Sequence, residues 1–379
     1  MKVYYIANAR LPNEKAHGIQ LAKMCEAFVA AGIDLELIVP ARGVHHETLE
    51  NFYGLKHKIK IIKLATLNLW PATRFGFNLG AVTFALAYFF YLLKEKLAGR
   101  TGIIYTIDLD QFSFALIPLL GWPYFFETHA IKRKNFLYKY FFKKANGIIT
   151  INNWIKKDLL GKFGMPKDKI LVFPNGIDVE MFSSKNSQKE ARQKLNLDIN
   201  VKIILYVGRF YDWKGLNILT QAAEFLPDQY LFYLVGGTSS QFQDIIGAKS
   251  VPGNIVCAGE RGYQEIPLWI AAADVVLVLG TKANEYSYYQ TSPMKIFEYM
   301  AARRPIVASR TPAVREVLSE SEAVFYDPDD ARSLAITIRS VMDNQPKLAA
   351  VVEQAYQKVL QYAWLNRAQT IVNFISQKS

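Results

Sequence analysis

Strand-length apolar runs alternate with helical patterns twice along this chain, and that double alternation constrains the fold more than any other feature. In the first half, strand-like segments fall at residues 3–8, 35–40, 59–64, 102–107, 123–127, 147–151 and 170–173. Helical patterns separate them at 18–31, 78–98, 111–120, 133–145 and 153–163. Within the first of these, Leu21, Met24, Cys25 and Phe28 recur at helical spacing. A second series has strands at 202–208, 231–236, 254–258, 274–279 and 305–309, with helices at 214–225, 264–272, 293–302 and 313–319. Asp329 or Asp330 is placed to cap a helix over 331–343, and 347–377 reads as helical. Such alternation implies parallel sheets covered by helices on both faces. The 379 residues therefore predict an α/β chain of two doubly wound, Rossmann-like domains, 1–178 and 201–361, joined by a polar linker at 179–200 that carries one short helix. Ligands of such sheets bind at the carboxyl ends of strands, so two facing sheets predict an interdomain cleft.

The net charge of +12 favours acidic partners: phosphates, anionic lipid or nucleic acid. No nucleic-acid-binding module appears, which disfavours the last. Cys25 and Cys257 are far apart in apolar segments and read as small core residues in a reducing compartment. No Cys/His cluster indicates a metal site. The N-terminus reads as a first strand and not as a signal peptide, so the chain is expected in the cytoplasm. The longest apolar stretch, LGAVTFALAYFFYLL (79–93), falls short of a bilayer span and reads as a core helix, with an interfacial role as the alternative.

Two segments carry the chemistry. In TSPMKIFEYMAARRPIVAS (291–309), Ser292 suits an N-cap and Pro293 the first helical position. The free N–H groups of such a helix start form an anion site, framed here by Thr291, Ser292, Pro293, Met294 and Lys295. Lys295 in the first turn opposes the helix dipole unless an anion or carboxylate offsets it. Glu298, three residues on, can pair with Lys295 or accept hydrogen bonds from sugar hydroxyls. In ILYVGRFYDWKG (204–215) a strand ends at Gly208, and Arg209 and Lys214 follow in the turn. Two cations at a strand's carboxyl end suit a departing diphosphate, although solvated loop cations are common in a basic protein.

These segments resemble the retaining, GT-B-fold glycosyltransferases of family 4. The resemblance covers nearly the whole chain. It implies that Glu298 holds the ribose of a nucleotide sugar, and that Arg209 and Lys214 grip its pyrophosphate. In that family a second glutamate precedes Glu298's counterpart with seven residues between the two, at the position where this chain has Gln290. An amide can still bond a hexose hydroxyl but carries no charge; Glu285 lies nearby. VFPNGID (172–178) is similar to the end of the family's first domain, with Pro174, Asn175 and Gly176 as a structural turn. In FFETHA (125–130) the resemblance implies that His129 contacts the donor hexose, with Glu127 structural. In NARLPNEKAHGIQ (8–20) it implies that Gly18 lets backbone approach donor phosphate and acceptor, His17 being the weaker candidate. Gly236 and Gly237 in LVGGTSSQ (234–241) are expected to line the nucleotide pocket. GERGYQEIP (259–267), with Arg261, is expected near the base. Residues 362–379 are expected to form a helix packing back on the first domain.

The implied activity is transfer of a hexose, without a metal or other cofactor, from a UDP- or GDP-linked sugar to a saccharide or lipid-linked acceptor. Surface polysaccharide assembly is the expected setting. An epimerase or hydrolase of the same fold, or a non-catalytic partner subunit, are the alternatives. Asp108-x-Asp110 reads as N-capping and not as a metal pair. IKRKNFLYKYFFKK (131–144) interleaves cations with aromatics. As a helix it puts Phe136, Tyr140 and Phe141 on one stripe, suited to an anionic membrane at the inner face of the cell or to a half-buried position.

Overall fold

The computed structural model describes the chain except residues 14, 43–46, 71–72 and 184, with backbone only at 345 and 347. Residue 14 of the 8–20 loop and residue 184 of the expected linker thus lie outside the described residues. There are two compact units: Met1–Asn175 with Trp364–Ser379, and Gly176–Ala363.

The first unit holds β1 (Lys2–Ile6), β2 (Asp34–Pro40), β3 (Lys60–Leu64), β4 (Ile103–Ile107), β5 (Tyr124–Thr128), β6 (Gly147–Thr150) and β7 (Ile170–Val172). All pair in parallel, in the order β3-β2-β1-β4-β5-β6-β7. Parallel strands covered on both faces need apolar side chains on both, and Val3, Tyr4, Tyr5 and Ile6 are all fully buried. The second unit holds β8 (Lys202–Val207), β9 (Tyr230–Val235), β10 (Ile255–Gly259), β11 (Val275–Val278), β12 (Ile306–Ser309) and β13 (Val324–Tyr326). Their order, β10-β9-β8-β11-β12-β13, is again wholly parallel. In each sheet the strand order reverses once, between β1 and β4 and between β8 and β11. Beyond the carboxyl ends of such a strand pair lies the natural ligand crevice.

Several elements differ from the sequence expectation. Residues 179–200 are part of the second unit and not a linker between domains. Two short helices, Val179–Phe182 and Gln188–Lys194, dock there through fully buried Phe182 and Ala191. Arg192 is also buried: Nη2 lies 2.7 Å from Asp274, Nε donates to Ala272 O, and Nη1 donates to Ile199 O and Val201 O. A polar stretch thus reaches the interior through one fully satisfied cation. The helix expected at 111–120 breaks into Gln111–Phe114 and a 3-10 turn, Ile117–Leu120. Pro118 in that turn has no N–H to continue an α-helical ladder. The helix expected at 214–225 shrinks to Ile218–Glu224. Strand β13 and the helices Leu49–Tyr53 and Ser239–Ile246 were not expected. Asp330, not Asp329, caps the helix Ala331–Asp343. The C-terminal helical stretch is interrupted before Trp364, where Ala363 bridges to Ile177. The last segment, Trp364–Lys378, packs in the first unit against the helix Ala16–Ala30. Cys25 and Cys257 are free thiols, buried and half-buried.

Candidate active site

The second sheet's crevice is built from the turns that follow β8 and β11. β8 ends at Val207, and Gly208 takes φ +139°, a region that favours glycine. Gly236, after β9, has φ +122°; a Cβ there would sit 2.6 Å from the Gly208 carbonyl. A Cβ on Gly237 would meet the Phe210 ring at 2.3 Å. The bare faces of these two glycines therefore accommodate this chain's own turn. Gly18 behaves alike: a Cβ there would meet the Tyr53 hydroxyl and the Asn13 side chain within 2.7 Å.

Past Gly208 the chain runs through a 3-10 turn, Asp212–Lys214. Lys214 Nζ donates to Arg209 O at 2.8 Å and lies over the rings of Tyr211 and Trp213. The Cβ position of Gly208 is 3.1 Å from Lys295 Nζ and 3.4 Å from Lys214 Nζ. Two ammonium groups from separate elements thus converge where glycine leaves room. Arg209 stands at the same turn, half-buried, with Nη2 3.4 Å from Glu260. Arg261 is exposed, its guanidinium 5.7 Å from the Trp269 ring.

After β11 the chain forms a π-helix, Tyr286–Gln290. Such segments are rare and favour functional positions. Gln290 ends it half-buried, while Glu285 before it is exposed. Thr291 Oγ1 donates to Ser287 O at 3.3 Å. The next helix, Met294–Ala301, begins one residue later than expected. Pro293, with φ −66° and ψ 123°, is its N-cap, and no side chain caps it. Ser292 is therefore outside the helix, and Met294 replaces Pro293 as the first helical residue. With no side chain occupying its mouth, this start keeps N–H groups available to an anion. The Tyr299 hydroxyl accepts from Val207 N at 3.0 Å, fixing the helix against the end of β8.

No ion pair forms between Lys295 and Glu298 among the described residues. Lys295 Nζ instead sits 3.7 Å from the Tyr206 ring centroid, a cation–π contact the sequence did not reveal. Glu298 is buried, and its carboxylate has no hydrogen-bond partner among the described residues. Burial, only partly offset by Lys295, pushes its carboxyl up to about 7. Burial, with Lys214 beside it, pushes Lys295 well below the usual lysine range. Burial and then Arg209 bring Lys214 down to about 8. Desolvated, unneutralised charges of this kind mark a place built for a ligand. An anion would offset the lysines, and hydroxyl donors would satisfy the glutamate.

In the first unit, β5 delivers His129. Its Nε2 lies 2.6 Å from Glu127 Oε1, and its backbone N–H donates to the Asp108 carboxylate at 3.1 Å. Asp108, at φ 44°, also accepts from Lys132 Nζ at 2.9 Å. N-capping holds for Asp110, which accepts from Phe112 N and Ser113 N, but not for Asp108, whose carboxylate is occupied in setting His129. Glu127 is fully buried and held by Arg367, Tyr105 and Gln20. Burial depresses the pKa of His17. The aromatic stripe expected over 131–144 divides: in the helix Phe136–Lys144, Phe136 and Tyr140 are exposed, whereas Phe141 is in the core.

Two family models match the chain. The model for glycosyltransferase family 4 matches residues 18–181, and that for glycosyl transferases group 1 matches residues 187–358. An uncharacterised glycosyltransferase of Methanocaldococcus jannaschii is 25% identical over 67% of this chain and 65% of its own length. The D-inositol 3-phosphate glycosyltransferase of Xylanimonas cellulosilytica is 24% identical over 58% of this chain and 54% of its own. The chain thus spans between about half and two thirds of the length of these relatives. Among solved structures, a Rickettsia africae glycosyltransferase superposes with a TM-score of 0.76 at 16% identity, covering 99% of this chain and 98% of that one. Anabaena HepE in complex with UDP-glucose superposes with a TM-score of 0.73 at 18% identity over 100% of both chains. At such identities these likenesses show the fold, GT-B with two Rossmann-like domains.

Proposed function

The chain belongs to glycosyltransferase family 4, and from that premise we propose that it is a retaining transferase moving a hexose from a nucleotide-diphosphate sugar to a saccharide or lipid-linked saccharide. The observation that carries this reading is the convergence of Lys214 Nζ and Lys295 Nζ on the bare face of Gly208, beside an uncapped helix start and a buried Glu298 carboxylate with no partner among the described residues. Breaking the anomeric C–O bond places negative charge on the departing diphosphate. Arg209, Lys214, Lys295 and the helix start stabilise that charge as it develops. Lysine and arginine supply the positive charge in this reading, so no metal or cofactor is assigned. Glu298 holds the ribose hydroxyls, and His129 and Gln290 bond the hexose. The acceptor hydroxyl attacks from the face the diphosphate leaves, and its proton passes to a diphosphate oxygen. No protein carboxylate is assigned as nucleophile. Anabaena HepE forms complexes with UDP and with UDP-glucose, which supports a nucleotide-sugar donor here. The proposed setting is surface polysaccharide assembly, in the cytoplasm at the inner face of the membrane.

Calorimetric titration with a panel of UDP- and GDP-sugars tests the donor, and its pH dependence tests the residues. A sugar nucleotide's phosphates do not titrate near neutrality, so the protein sets the profile. Affinity rises as Glu298 ionises through about 7 and falls as Lys214 loses its proton through about 8. Glu298→Gln removes the acid limb and leaves the alkaline one. A flat profile, or a sugar nucleotide bound with undiminished affinity by Lys214→Met, rejects this assignment. Donor turnover without an acceptor would move the reading to an epimerase or hydrolase. Binding without any turnover would move it to a partner subunit.

A further inference from the structure

The helix Arg74–Leu97 buries one face and exposes another that is just as apolar. Ala81, Phe84, Ala85, Tyr88 and Leu92 are at most 2% exposed in the core of the first unit. On the opposite side Phe75 (67%), Val82 (40%), Leu86 (44%) and Phe90 (62%) form a line at spacings of seven, four and four residues. At 1.5 Å per residue the line runs about 22 Å. The segment before the helix extends it. Leu67 N donates to Thr83 Oγ1 at 3.2 Å, which holds that segment on the helix, and Trp70, 62% exposed, has its ring 6.3 Å from that of Phe75. So long a stripe of large exposed apolar groups is uncommon on a protein surface that meets only water.

Charge identifies what covers it. Residues 51–94 contain no aspartate or glutamate. The stripe has Arg74 at one end and Lys94 and Lys96 at the other, all exposed. Glu95, the helix's single acid, is turned inward and paired with Arg100. We infer that this face docks on an anionic phospholipid bilayer, with the helix lying along the interface, its aromatic and aliphatic line among the acyl chains and its terminal cations at the headgroups. The helix is long and apolar enough to cross a membrane by length and composition, but its inner face is committed to the core, so it lies on the bilayer and does not cross it. A second copy fits less well, since the stripe's flanking cations find no acid within it to answer them. This inference rests on the reading of the acceptor as lipid-linked and names the surface that would bring the enzyme to it. That surface is distinct from the exposed Phe136–Tyr140 edge.

Co-sedimentation of the full chain with phosphatidylcholine vesicles, with and without phosphatidylglycerol, tests it. The expected result is binding to the anionic vesicles alone, weakened about tenfold or more by Phe75→Ser with Phe90→Ser and by Arg74→Glu with Lys94→Glu. Phe136→Ser with Tyr140→Ser should retain binding. All replaced side chains are exposed, so an unchanged thermal melt confirms folding, and sugar-nucleotide affinity should stay at the parent value. Full vesicle binding by both stripe variants overturns the inference. So does loss confined to the Phe136/Tyr140 variant, or a dimer in light scattering that the Phe75/Phe90 variant dissolves. A parent chain that binds vesicles but no sugar nucleotide would remove the proposed function and leave this surface standing.

Discussion

Lys214→Met is expected to lower the turnover number by about two to three orders of magnitude, with a smaller change in donor KM. The expectation follows from where the charge stands. Lys214 Nζ is fixed by the Arg209 carbonyl at 2.8 Å and by two aromatic rings, so it does not have to be ordered during the reaction. Burial lowers its pKa to about 8, so at neutral pH it is still a cation, and a poorly solvated one. A preorganised charge of this kind is worth more to a developing anion than to the ground state, and removing one such group costs about 10²–10³ in turnover. Each factor of ten corresponds to about 1.4 kcal/mol of transition-state stabilisation. The melting temperature of the ligand-free variant should not fall, because a desolvated ammonium with no carboxylate partner among the described residues does not hold the fold together. Full turnover by Lys214→Met, under conditions where the parent is saturated, would end the assignment.

The same cluster shows what a sequence can and cannot disclose. Gly208, Lys214 and Glu298 lie in short local patterns, a strand end with its turn and a helix start, so their placement near one another followed from the parallel-sheet reading. The distance between Lys295 and Tyr206 did not, because the ring belongs to β8 and the lysine to a helix that follows β11. Periodicity locates a helix but not the rotamer of its lysine, and Lys295 was free to pair with Glu298 or to turn to the ring. Polarity misled at 179–200, since a stretch so rich in polar residues gives no sign that Arg192 and Phe182 will be buried. β13 went unseen because three residues are too few for an alternation to register. The stripe on Arg74–Leu97 was readable as apolar, but a helix apolar all round reads as a core helix, and only the fold shows which face the core leaves uncovered.

The largest stability effect should come from a residue near the end of the chain. Arg367, on the helix Trp364–Lys378, and Glu127, on β5, are both fully buried and 240 residues apart, with Nη2 2.7 Å from Oε1. Burial alone would push Glu127 up, but Arg367 and His129 more than offset it and hold the carboxyl far below its usual range. Arg367 Nε also donates to Pro174 O at 2.8 Å, which ties the segment leaving β7 to the same group. Arg367→Met leaves Glu127 charged and enclosed, without the guanidinium and with His129, Tyr105 and Gln20 as its remaining partners. Removing one member of such a pair costs about 3–5 kcal/mol, or roughly 10 °C in the melting temperature of a domain this size. Adding Glu127→Gln removes the stranded charge, so the double variant should melt higher than Arg367→Met alone, a coupling that a simple loss of packing would not produce. The sign of the pH dependence follows. A depressed carboxyl contributes stability above its unfolded value and loses it only as pH falls through the folded one. The parent should therefore keep this contribution into strong acid, while Arg367→Met should become relatively more stable as acid protonates Glu127. A melting temperature for Arg367→Met within a degree or two of the parent, at neutral pH, would show that Glu127 finds its compensation elsewhere.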